Sequence, residues 1–296
     1  MKLSFIQHYH NGDLFTCKGF LDHIRRELPL ADLEIFHFNH PRVLGDMHIA
    51  YRGPPTNFEP QTRFNLVNAS HLYINTWAFC YGEYWKDGLN LDTLMGTWGH
   101  IFETINDKLG TDIKLKNKEF YIPSIDFSHF DVSSIDKFLS EHTGKKVLIC
   151  NGKAMSGQSF KSDMADVINA LADSNPTTNF ICTQKINPKK SNIFFTDDII
   201  VSDSVHMNDA PDWNKSGRCD LNEISYLSES CNLVVGKNSG PFIFCLTQTT
   251  LLDSKKTFIS FNKRELDTFP LGADIKANYI YSNEYDNAYK IINENL

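Results

Sequence analysis

Two polar loops and one carboxylate hold most of the reactive side chains in this chain of 296 residues. The first loop, residues 151–159, follows the apolar run Val147-Leu148-Ile149-Cys150. The second, Lys237-Asn238-Ser239-Gly240, follows Leu233-Val234-Val235-Gly236 and leads into Pro241-Phe242. Lys153, Ser156 and Gly157, with Lys161 just beyond, and Asn238, Ser239 and Gly240 offer ammonium groups, hydroxyls and backbone N–H groups. That inventory suits a diphosphate. The first loop lacks the G-x-x-x-x-G-K-[ST] and G-x-G-x-x-G spacings, and Lys153 is as readily a solvated loop lysine. Asp13, in His10-Asn11-Gly12-Asp13, is a carboxylate placed just after the first apolar run. It could take a proton from an acceptor hydroxyl, or cap the helix that follows. His8 and His10 point to one face of a strand. No third metal ligand stands out, so a structural or acceptor-contacting role is the reading.

For the two loops to meet at one ligand, they must lie on one edge of a parallel sheet. The sequence predicts such a sheet. Residues 2–10, 33–38 and 70–77 read as strands, with helices over 14–28, stopped by Pro29, and over Leu91–Leu109, closed by Gly110. After a connector at 123–134 and a short helix at 134–142, the pattern restarts. Strands are expected at 147–150, 179–183, 199–201 and 257–261, with helices at 160–171 and 284–295. Residues 220–231 read as a helix with Ile224, Leu227 and Cys231 on one face. Val234 and Val235 then make a strand buried on both sides. Gly236 and Gly240 are expected to supply unusual backbone angles, and Ser239 to cap a helix that tolerates Pro241. Residues 52–62 read as a polar, proline-rich loop.

The totals fit this α/β reading. Hydrophobic residues make up 41% and charged residues 22%, the balance of an ordinary globular protein. A net charge of −7 argues against nucleic acid as the main partner. The seven cysteines form no C-x-x-C and read as reduced, buried thiols. The N-terminus reads as a strand, not a signal peptide, and no apolar run approaches the roughly 20 residues that span a bilayer. The expectation is a cytoplasmic protein, with peripheral association at the inner face of a membrane left open.

The pattern from Asp220-Leu221-Asn222-Glu223-Ile224 through Leu233-Val234-Val235-Gly236-Lys237-Asn238-Ser239-Gly240-Pro241 resembles the signature of the heptosyltransferase-like glycosyltransferases, family nine. Gly12-Asp13 is similar to their N-terminal Gly-Asp motif, and residues 151–159 sit where they hold the sugar-nucleotide phosphates. The chain departs from them in having Asn238 where many have Asp, and in lacking a Lys-x-Trp pattern at 154–159.

The resemblance implies the GT-B fold: two facing Rossmann-like domains with a cleft between them. They would be an acceptor domain over 1–140 and a nucleotide-sugar domain over 141–283, with a terminal helix at 284–296 packing back on the first. It implies metal-independent, inverting transfer of a sugar from a nucleotide-diphospho-sugar to a hydroxyl of a glycan, a lipid-linked glycan or another acceptor. No separate cofactor and no metal are expected. Asp13 would be the base. Lys153, Ser156, Gly157, Lys161, Asn238, Ser239 and Gly240 would bind the donor, and His10, Asn11 and Trp77 the acceptor. A nucleotide-sugar epimerase or hydrolase, or a non-catalytic nucleotide-sugar-binding protein, remains the alternative on the same fold.

Overall fold

The computed structural model of the chain describes all residues except 8, 38, 48–49, 53–61, 78–87, 89, 153–162 and 207–216. Two compact units emerge. The first holds Met1–Ile125 and Phe269–Asp274, together with a stretch ending at Cys219; the second holds Asp126–His206, Asp220–Thr268 and Ile275–Leu296.

The first unit carries five strands: β1 (Lys2–Gln7), β2 (Asp32–His37), β3 (Ala50–Arg52), β4 (Phe64–Asn68) and β5 (His71–Asn75). Their order is β3-β2-β1-β5-β4. All neighbours run parallel except the β4–β5 hairpin. The helix expected over 14–28 starts earlier and is broken at Cys17, giving α1 (Asn11–Thr16) and α2 (Lys18–Glu27). The long helix α3 (Leu91–Leu109) ends on Gly110 at φ 66°, ψ 35°, the left-handed cap the sequence predicts. A column of stacked rings joins these helices: Trp98 on Phe20 at 5.0 Å, and Phe20 on Tyr121 at 4.1 Å.

The second unit carries β6 (Lys146–Cys150), β7 (Asn179–Cys182), β8 (Ile193–Phe195), β9 (Leu233–Gly236), β10 (Thr257–Phe261) and β11 (Asn278–Ser282). The order β8-β7-β6-β9-β10-β11 is parallel throughout. Renumbered within the unit it is 3-2-1-4-5-6, the dinucleotide-binding order. Between the strands lie α4 (Ser133–Glu141), α5 (Ala165–Ser174), α6 (Thr196–Ile199), α7 (Leu221–Glu229), α8 (Gly240–Phe244), α9 (Gln248–Leu251) and, at the end, α10 (Ala288–Asn293). Ile224, Leu227 and Cys231 are buried, as their spacing predicts. Buried Lys256 closes the carboxyl end of α7, donating to the carbonyls of Ser228 at 3.0 Å, Cys231 at 2.6 Å and Glu229.

Several boundaries differ from expectation. The units divide at Ile125 and Asp126, not after 140, because α4 belongs to the second core: Phe138 meets the ring of Phe194 at 5.1 Å. The strand expected at 199–201 is displaced to β8, since Ile199 ends a helical turn. The terminal helix α10 packs within the second unit. Ala288 and Ile292 are buried with Val147, Ile168 and Phe180 of the second, and Tyr289 and Asn293 bond to Ser174 and Asn175 beside α5. The segment that does return to the first unit is Phe269–Asp274, whose Phe269 carbonyl accepts the Leu91 N–H at 2.9 Å. Among the described residues no helix is long and apolar enough to cross a membrane, and six cysteines are free and buried. Cys80 lies outside the described residues.

Candidate functional site

In the second unit the order reverses between β6 and β9, so ligands are expected beyond the carboxyl ends of these two strands. The four residues of β9 are wholly buried, and the chain then turns sharply. Gly236 makes that turn possible by its lack of a side chain. A Cβ there would stand 2.6 Å from the Phe242 ring and 2.9 Å from Cys150 Cβ. Its φ is not positive, and neither is that of Gly240. The expected reason, backbone freedom, is therefore replaced by close packing at Gly236. At Gly240 a Cβ would meet, among the described residues, Leu221 at 3.6 Å, an ordinary contact.

Lys237 follows, fully buried. Burial pushes its ammonium below the ordinary lysine range, and the Asp163 carboxylate acts in the opposite direction. Asp163 closes the loop after β6 and accepts the Ala165 N–H at 3.0 Å. The loops after β6 and β9 thus come within electrostatic reach of each other, as the parallel order requires. Asn151 fixes the start of the first loop: its amide donates to the Gln184 carbonyl at 3.1 Å and accepts the Gln184 N–H at 2.9 Å.

Asn238 is held twice. Its N–H donates to Asn262 Oδ1 at 2.8 Å, and its Nδ2 to the Asp267 carbonyl at 3.1 Å. The amide nitrogen therefore braces the turn. An amide fits that place and a carboxylate does not, since a backbone carbonyl repels a second acceptor. Ser239 is the N-cap residue of α8, with extended backbone at φ −132°, but its side chain makes no cap bond. Its hydroxyl is buried and finds no partner among the described residues. A buried hydroxyl in that condition costs free energy unless something else bonds to it. Lys153, Ser156, Gly157 and Lys161 lie outside the described residues.

In the first unit the order reverses between β1 and β5, and the corresponding edge carries residues 9–13 and 75–77. Asp13 is not the N-cap. That place is held by His10, and Asp13 stands in the first turn of α1, accepting the His10 N–H at 3.2 Å. It also faces the His10 ring, Oδ2 to Nδ1 at 3.7 Å, and this carboxylate holds the imidazole above its usual range. Asn11 Oδ1 is buried without a partner among the described residues. Trp77 stacks on Tyr9, centroids 3.6 Å apart and planes 16° apart. His8 and most of the 52–62 loop lie outside the described residues.

Sequence reasoning assigned no role to Lys237, Asp163 or Tyr9. Lys237 had one available signal: a charged residue directly following four apolar strand positions.

No family model matches the chain, and no curated protein does. Solved structures do. WaaC, a heptosyltransferase of E. coli determined with ADP-2-deoxy-2-fluoro heptose, matches with a TM-score of 0.53 at 10% identity over 100% of both chains. The ADP-heptose lps heptosyltransferase II of E. coli matches at 0.52 and 12% identity, over 100% of this chain and 97% of that one. A family 9 glycosyl transferase from Veillonella parvula DSM 2008 matches at 0.51 and 11% identity, over 99% and 90%. The chain has the GT-B fold. In GT-B terms, the second unit is the Rossmann-like domain with the complete 3-2-1-4-5-6 sheet. The first is its smaller counterpart with an antiparallel edge strand. At these identities the likeness is one of fold.

Proposed function

We propose that this protein is a glycosyltransferase that moves a sugar from a nucleotide-diphospho-sugar to an acceptor hydroxyl, with inversion and without a metal. One observation carries the reading. A buried lysine and a buried serine hydroxyl with no partner among the described residues stand together at the switch point of a 3-2-1-4-5-6 sheet. Lys237 supplies positive charge where solvent is excluded, and charge there acts far more strongly than in water. Ser239 and the Gly240 N–H donate to phosphate oxygens. Lys153, Ser156, Gly157 and Lys161, in the loop after β6, complete the diphosphate site. Asn238 holds the turn, and its side-chain oxygen is offered to the sugar or ribose. The fixed positive charge then stabilises the departing diphosphate, which is electrostatic catalysis. Two of the structural neighbours, described as WaaC with ADP and with an ADP-heptose analogue, favour the same class of donor.

Asp13 takes the proton from the acceptor hydroxyl, and His10, Asn11 and Trp77 contact the acceptor. His10 and Asp13 hold each other in place, so the carboxylate is oriented before the acceptor arrives.

The decisive experiment follows nucleotide release and sugar products from a panel of labelled ADP-, UDP- and GDP-sugars, with and without glycan acceptors and with a chelator present. Transfer that needs an acceptor and survives the chelator is the expected result. An isomerised sugar nucleotide, or an intact one, would replace the reading with an epimerase or a binding protein. Loss of transfer in chelator would remove its metal-free part.

A further inference from the structure

We propose that Asn262 is a positioning residue for the donor turn. Its side-chain amide, held from behind by Ser260, fixes the direction in which Ser239 and Gly240 meet the diphosphate. This inference rests on the reading of the chain as a nucleotide-sugar glycosyltransferase and adds a residue that acts through Asn238.

Asn262 stands one residue beyond β10, the neighbour of β9, where Ser260 lies opposite Gly236. It is 1% exposed. Its amide makes two bonds of opposite sense. Oδ1 accepts the Asn238 N–H at 2.8 Å, and Nδ2 donates to Ser260 Oγ at 2.7 Å. With the amide reversed, Nδ2 would face the Asn238 N–H, donor against donor. A carboxylate in its place would lose the donation, and an aliphatic side chain both bonds. Ser260 is fully buried, so this chain of bonds lies out of water.

The sheet itself does not require the side chain. The Asn262 backbone N–H already extends the β10–β11 pairing past Phe261, donating to the Ser282 carbonyl at 3.2 Å. The amide is spent on the turn. With its N–H turned inward to Asn262, Asn238 is not itself a phosphate donor. The groups that follow are: the Ser239 hydroxyl, buried with no partner among the described residues, and the Gly240 N–H. Asn238 Nδ2 is held as well, by the Asp267 carbonyl at 3.1 Å. With backbone and side chain both fixed, the chain enters Ser239 in one direction. Groups aimed at a ligand before it binds need little reorganisation when it does.

The test is titration calorimetry on the full-length protein with ADP, AMP, UDP, UMP, GDP and GMP. The wild type should bind one diphosphate more tightly than its monophosphate. Asn262→Ala should weaken that diphosphate by about tenfold, the upper end of what one lost hydrogen bond implies, and leave the monophosphate nearly unchanged. The preference for the second phosphate then collapses. A variant that had merely lost stability would bind both ligands alike in its folded fraction and keep the preference. Ser260→Ala, which frees the far end of the amide, should lower the same preference by about threefold. It decides the matter alone if Asn262→Ala does not fold. An unchanged preference in the folded variants, or a wild type with no preference, overturns the proposal and leaves nucleotide binding standing. A wild type that binds none of the six removes the donor reading and this inference with it.

Discussion

The two sheets reverse their strand order in the same way, yet the edges they create differ in kind. Beyond β6 and β9 the described groups are enclosed: Lys237 is fully buried, the Ser239 hydroxyl is buried, and Gly236 is squeezed between Phe242 and Cys150. Beyond β1 and β5 the site is half-open, with stacked rings, an exposed His10 imidazole and a carboxylate. An enclosed site suits a ligand whose charge is constant, because fixed groups can be set against it in a low dielectric. A half-open rim of polar groups suits a ligand recognised by shape and hydroxyls. The same topology can thus be specialised by what its edges bury.

The strongest way to break this contrast is Asp13→Asn. The asparagine oxygen can still accept the His10 N–H, so the fold should hold, while a base would be lost. Transfer should fall by about 10²–10⁴-fold, with nucleotide affinity unchanged because that belongs to the other edge. Full transfer by a folded variant would reduce Asp13 to its bond with His10. Next in size is a pair of glycine substitutions. Gly236→Ala must push apart Phe242 and Cys150, and overpacking of this sort costs about 1–3 kcal/mol. Gly240→Ala meets ordinary contact distance and should be far milder. Denaturant midpoints for the two variants measure the difference directly, and equal losses would refute a packing role for Gly236.

Ser239→Ala tests whether the enclosed hydroxyl waits for a ligand. In the free protein it bonds to nothing among the described residues, so its removal should leave the melting temperature unchanged or higher. Nucleotide affinity should drop by about 0.5–1.5 kcal/mol, read by calorimetry. A destabilised variant with unaltered affinity would make Ser239 a structural residue.

The smallest effect is in pH. His10 is held above its ordinary value of 6.5 by Asp13. Its stabilisation is therefore complete below that value and is lost as pH rises through the raised one. His23 has the opposite sign. Burial beneath Tyr121 and Phe102 depresses it from 6.5, so the native state resists the proton and stability falls as pH drops below that value. Melting temperatures across pH should show the gap between wild type and His10→Asn closing on the alkaline side, and that for His23→Gln closing on the acid side. Parallel curves would remove the assigned protonation states.

Much of this was legible in the sequence where the signal was contiguous. The helix–strand–turn–helix run around Val234 and Val235 could be read because burial, turn and helix start lie within about twenty residues of sequence, and local pattern suffices there. The bracketing of α3 by Asn90 and Gly110 is local in the same sense. What could not be read was set by partners distant in sequence. β3 and β4 are short edge strands whose existence depends on pairing with β2 and β5. Nothing local says that Asn238 is bonded to Asp267, that Arg63 holds up Trp77, or that α10 is bound to α5. The helix expected over 14–28 starts earlier for another reason. His10 caps α1 with an unusual residue type, and the usual preference pointed to Asp13.

The path of the chain has a consequence for how the molecule is made. The first unit borrows Phe269–Asp274 from the far end of the polypeptide, where Phe269 and Asp274 bond to Leu91 and Glu119. A chain emerging from the ribosome commonly folds its domains in the order they appear. Here the first domain waits, its final clasp arriving only after nearly all of the second has been synthesised. A segment cut off at residue 125 lacks the partners that Phe269 and Asp274 give to Leu91 and Glu119.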